Sequence, residues 1–76
     1  VFLLRIALPD RPGSLGAVAS AMGTVGADIN AVEIVEKYEG YAVDDFMLDL
    51  PPGVAPDPLV TVCTAIDGVE ILWLSY

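Results

Sequence analysis

Asp10-Arg11-Pro12-Gly13-Ser14-Leu15 carries the densest chemistry in the chain, where an apolar strand pattern gives way to a helical one. Pro12 biases Arg11 towards extended backbone and sets its own φ for a first helical turn. Gly13 has no Cβ, so a second molecule can come close to the main chain there. The amides of Gly13, Ser14 and Leu15 fall where a helix leaves N–H groups without internal partners, at the positive end of its dipole. Amides so placed receive a carboxylate. A ligand that also carries a cationic group would find an acceptor in Asp10, within the same loop. The alternative is that Asp10 or Ser14 only caps the helix, satisfying those amides from within the chain.

Other reactive residues point to less. The chain has no histidine and one cysteine, and pairs no nucleophile with a base, so we read it as non-enzymatic. The same shortage argues against a metal, and we expect no cofactor. Cys63 falls on an apolar helical stripe and reads as an inert core residue. Glu33, Glu36, Glu39, Asp44, Asp45 and Asp49 crowd one hairpin without calcium-loop spacing, which reads as a solvated face. Gly13-x-x-Gly16 lacks the Lys of a phosphate loop and the third Gly of a dinucleotide loop.

The elements that must position the loop follow from periodicity. Val1–Leu8 is an apolar run broken only by Arg5, which suits a central strand. Leu15, Val18, Ala19, Met22 and Val25 fall along one helical stripe, closed by Gly23 and Gly26. Ile29–Tyr38 alternates, with Val32 and Ile34 opposed to Glu33 and Lys37. Glu39-Gly40 is a turn, and Ala42–Leu50 alternates again, with Phe46, Leu48 and Leu50 opposed to Asp45 and Asp49. Pro51-Pro52-Gly53 stops that strand. Asp57 before Pro58 starts a second helix as its cap, with Leu59, Val62, Cys63 and Ile66 as its stripe. Asp67-Gly68 then turns into a last strand, Val69–Tyr76. The order βαββαβ predicts an α+β, ferredoxin-like domain: a four-stranded antiparallel sheet with two helices on one face.

Composition bounds the partners. At 76 residues the chain is a single domain, 1–76, and its 55% hydrophobic content exceeds what so small a core hides, which calls for oligomerisation. Val1, Leu3, Ala7, Val35, Val43 and Met47 are expected on the sheet face away from the helices. We therefore expect a homodimer formed by edge pairing, with part of this face covered in a larger assembly. A net charge of −8 argues against nucleic acid and anionic membranes. No apolar run spans a bilayer and no signal peptide is present, so we expect a cytoplasmic protein. Beginning and ending in apolar strands, the sequence reads as a segment of a longer protein.

The fold alone assigns no function. RNA-recognition modules need aromatic and basic residues where this chain has Val43, Asp45 and Met47. Metal carriers on this fold need C-x-x-C in the first loop, and acyl-phosphate hydrolases need an Asn there beside a catalytic Arg. D-R-P-G-x-L after the first strand, with G-A-D-I-N about thirteen residues on, resembles the ACT domain, a small-ligand regulatory module. The resemblance runs from Leu3 to Asp67-Gly68-Val69. It implies subunits joined side by side through the first strand and second helix into an eight-stranded sheet. It also implies an amino acid bound between the first loop of one subunit and the start of strand two of its neighbour. By position the ligand loop is then Asp10, Arg11, Pro12, Gly13, Ser14 and Leu15. Asp28 falls where serine-sensing members have Asn and offers the ammonium a second acceptor; it also reads as ordinary turn chemistry. Asp10 replaces an Asn of those members and Leu8 a His, so the serine-binding set is not intact.

Overall fold

The computed structural model describes all 76 residues and contains β1 (Phe2–Pro9), α1 (Ser14–Thr24), β2 (Asp28–Tyr38), β3 (Tyr41–Asp49), α2 (Asp57–Thr64) and β4 (Glu70–Ser75). The four strands make one antiparallel sheet in the order β2-β3-β1-β4. This is the expected ferredoxin-like α+β fold. No helix is long and apolar enough to cross a membrane.

Successive strand residues face opposite ways, so β1 divides its side chains between two faces. Leu4, Ile6 and Leu8 go to the helix side and are buried there with Phe46 and Leu48 of β3. Val18 and Met22 of α1 and Leu59 and Cys63 of α2 close over them. Gly26 ends α1 in the left-handed region at φ 81°, and two bonds complete the stop: Gly26 N–H to Gly23 O, and Ala27 N–H to Met22 O. The second helix starts one residue earlier than expected. Pro56 is its cap, and Asp57 lies inside the first turn with no side-chain capping bond, where its charge complements the dipole.

The opposite face carries no helices. Leu3, Ala7, Val43 and Met47 lie on it by register, as expected. At its centre Arg5 donates Nε–H to Asp45 Oδ1 at 2.7 Å and an Nη2–H to Asp45 Oδ2 at 2.9 Å. The guanidinium also sits 5.0 Å from the ring centre of Trp73. Asp45 is therefore a paired group and not part of a solvated acidic face.

Two expectations about β1 and β2 do not hold. β1 is paired on both sides, so the side-by-side joining through the first strand that the resemblance implied has no free edge to use. The sheet's edges are β2 and β4. Along β2 the register shifts between Ile34 and Glu36, leaving Val35 without a partner on β3. That extra residue reverses the alternation beyond it, so Lys37 opposes Ala42 on the helix side. The simple alternation that put Lys37 with Glu33 fails for this reason.

Phe46→Ala should cost about 3–5 kcal/mol, a large share of the ~4–11 kcal/mol expected of so short a chain, and denaturant unfolding measures it. The Arg5 hydrogen bonds hold the Asp45 carboxyl below its usual 3.8. A lowered native pKa gives stability that is present above the unfolded value and lost as pH falls through the native one. Asp45→Asn should therefore lower the urea midpoint at neutral pH and flatten its decline in acid.

Candidate functional site

The β1–α1 loop is fixed by main-chain bonds at both ends. Asp10 N–H donates to Gly40 O at 3.1 Å, tying the loop to the β2–β3 hairpin. Arg11 N–H turns back to Pro9 O at 3.1 Å, and Ser14 N–H to Arg11 O at 3.2 Å. Gly13 caps α1 with φ 89° and ψ −16°, a conformation that a residue with a Cβ adopts only under strain. The space above its Cα is open: a Cβ built there meets no atom within 4 Å.

These bonds decide which amides remain free. Ser14 N–H is taken by the turn, whereas the N–H groups of Gly13, Leu15 and Gly16 have no partner in the chain. Of the expected Gly13, Ser14 and Leu15 the first and last are free, and Gly16 takes the place of Ser14. No side chain caps α1. The Asp10 carboxylate points instead to Lys37, with Oδ1 3.4 Å from Nζ. Arg11, Pro12, Gly13 and Leu15 are exposed and Ser14 is half-buried.

Two recesses flank the loop, and Arg11 and Ser14 line both. The larger, about 240 Å³, opens towards Ile66, Asp67 and Val69 at the end of α2. The smaller, about 80 Å³, lies between the loop and the β2–β3 hairpin, where Leu15 faces Ile34, Lys37 and Asp44.

Asp44 is the residue that sequence reasoning misplaced. It shares its strand face with Ala42, Phe46 and Leu48 and is only 3% exposed, the one charged residue among the buried set. Its Oδ1 is buried with no hydrogen-bond partner. Burial pushes its carboxyl above the usual 3.8; Lys37 pulls the other way, and Asp10 and Asp45 add to the rise. The signal was in the alternation itself, since Asp44 has the parity of Phe46 and Leu48 and not of Asp45 and Asp49.

Asp28 does not meet the loop within one chain. It pairs in register with Asp49, while the loop follows Pro9 opposite Tyr41. The eight residues of β3 between those levels span about 27 Å. Cys63 is fully buried and its thiol is pushed up by burial, as a core cysteine's is. No group of three or more His, Cys, Asp or Glu residues is placed to hold a metal ion.

The chain is 32% identical over 62 residues to the D-3-phosphoglycerate dehydrogenase of Mycobacterium tuberculosis H37Rv. That match covers 82% of this chain and 12% of the enzyme, so the chain spans a small part of this relative's length. No protein-family model matches the chain. Among solved structures, a protein of unknown function from Galdieria sulphuraria superposes with a TM-score of 0.74 at 16% identity, covering 97% of this chain and 41% of that one. A formyltetrahydrofolate deformylase from Pseudomonas putida KT2440 gives 0.72 at 12% identity, covering 99% and 28%. At these identities the structural matches speak for the fold, and the sequence match ties the chain to one segment of a much longer dehydrogenase.

Proposed function

We propose that this chain is an ACT-type regulatory domain that binds an amino acid, does no chemistry of its own, and passes occupancy to the protein it belongs to or assembles with. The observation that carries the reading is the set of three partnerless amides, on Gly13, Leu15 and Gly16, at the start of an eleven-residue helix around a left-handed glycine with open space above it. A carboxylate satisfies such amides and gains from the helix dipole. Of the chain's three basic residues, Arg11 and Lys37 line the recess beside the loop together with Asp10 and Asp44, so both signs of charge that a zwitterion needs are present there. The similarity to a segment of D-3-phosphoglycerate dehydrogenase supports the same family.

A net charge of −8 disfavours a ligand that is itself anionic. Neutral and basic amino acids fit better than aspartate or glutamate. The exposed apolar face supports a second reading, an assembly domain whose loop is empty in function. Met47 is 46% exposed there and Leu72 45%. Both readings include a dimer, and the unpaired edges β2 and β4 support edge pairing as its route.

Calorimetric titration with the twenty amino acids should give saturable binding of a neutral or basic one. Gly13→Val should abolish it for about 1–2 kcal/mol of stability, because the branched side chain occupies the ligand's approach and strains a left-handed position. A folded Gly13→Val protein with unchanged affinity would move the site elsewhere, and no binding to the wild type would leave the assembly reading. Sedimentation equilibrium at micromolar concentration should show a dimer; a monomer there would remove edge pairing from both readings.

A further inference from the structure

We propose that Asp44 is the acceptor for the ligand's ammonium group, which makes the small recess between the loop and the β2–β3 hairpin a subsite for a primary amine. The proposal rests on the amino-acid reading above and names the chemistry of its second pole.

A carboxylate taken out of water destabilises a fold unless its oxygens find donors or opposite charge. Asp44 is 3% exposed, and its Oδ1 has no hydrogen-bond partner; the Lys37 charge is felt there without a bond to it. Its neighbours in register, Ile6 and Ile34, are aliphatic and carry no side-chain donor. The one ammonium at the recess, that of Lys37, is engaged 3.4 Å from Asp10. The same ion pair occupies Asp10, the acceptor expected within the loop, and within one chain Asp28 lies at the far end of the sheet. Within the chain, Asp44 is thus the carboxylate with capacity to spare beside the free amides.

The recess fits the group. At about 80 Å³, roughly half the ~150 Å³ that houses a benzene ring, it has room for an ammonium and its first carbons, with the rest of a ligand lying outside it. Leu15 lines it and also supplies a partnerless N–H, so a donor for a carboxylate and an acceptor for an ammonium come from residues around one recess. An ammonium has three donors, enough to satisfy Oδ1 and leave others for Ser14, a residue of the same recess, and for water.

The test compares wild type with Asp44→Asn and Lys37→Met, using the twenty amino acids, the α-hydroxy acids glycolate and L-lactate, and n-propylammonium chloride against equal potassium chloride. Wild type should bind its amino acid and reject the hydroxy acid that lacks the ammonium. Asp44→Asn should weaken amino-acid binding by about tenfold or more, the range of a charge-assisted hydrogen bond, and lose the discrimination. The same variant should unfold at a higher temperature at neutral pH, because it removes a buried charge, with the gain vanishing in acid as Asp44 of the wild type protonates. Lys37→Met should keep the discrimination. If Asp44→Asn discriminates as well as wild type, or if Lys37→Met loses discrimination equally, Asp44 serves Lys37 and the proposal fails while the amino-acid reading stands. If no amino acid binds but n-propylammonium stabilises wild type and not Asp44→Asn, the amine subsite stands and the amino-acid reading falls. Silence from both overturns both.

Discussion

Leu4, Ile6 and Leu8 point to one side of β1, and the sheet order puts that strand between β3 and β4, so this row is the axis on which both helices rest. A chain of 76 residues has material for one such layer of helices. Once the row is buried, Pro9 marks where β1 leaves the sheet, and α1 has to cross back over the row from there. The loop between them is short and held by Asp10 N–H to Gly40 O and Ser14 N–H to Arg11 O, which leaves the helix start exposed and its amides aimed outward. The open helix start is a by-product of packing the row, with Gly13 leaving the space above it clear.

Asp44 and Asp45 show how sharply the pleat separates two fates. They are adjacent in sequence, yet one faces the helices and the other the open side. Asp45 finds Arg5 with two hydrogen bonds, and its carboxyl is held low. Asp44 finds apolar neighbours, and its carboxyl is pushed up. On the open face an ion pair with an aromatic lid can serve stability, since both partners keep some contact with water. Under the helices an unpaired carboxylate serves no such purpose, and local rules broken without local return are where ligand recognition is sought.

The order of elements was legible in the sequence because each carries a strong period and a chemically defined stop: the helical stripe through Val18 and Met22 ended by Gly26, and the strand through Phe46 and Leu48 ended by Pro51. The loop was legible as a loop, and Gly13 as the point where its main chain lies open. Which amides it frees was not, because the Ser14 turn to Arg11 O depends on backbone geometry that no residue type announces. Lys37 was misassigned because a single extra residue in β2 inverts every face after it, and nothing in Ile34-Val35-Glu36 signals the shift. Asp44 differs: its parity was visible and was overridden by the bulk acidity of the hairpin.

The edge strand connects these features to assembly. β2 is eleven residues long and unpaired on its outer side, with Asp28 at one end and Lys37 near the other. Two copies joined through β2 about a two-fold axis run antiparallel. The start of one β2 then lies beside the end of the other, and a partner's Asp28 is carried some 27 Å along the sheet to the end that holds Lys37 and the loop. The distance that separates Asp28 from the loop within one chain is the distance such a pairing spans. Joining through β4 does not do this, since β1 and β3 then stand between the partner and the Lys37 end. Under the proposed function, a ligand held between the loop of one copy and the strand of another would stabilise the pair over its separated halves, which is how occupancy would reach the assembly.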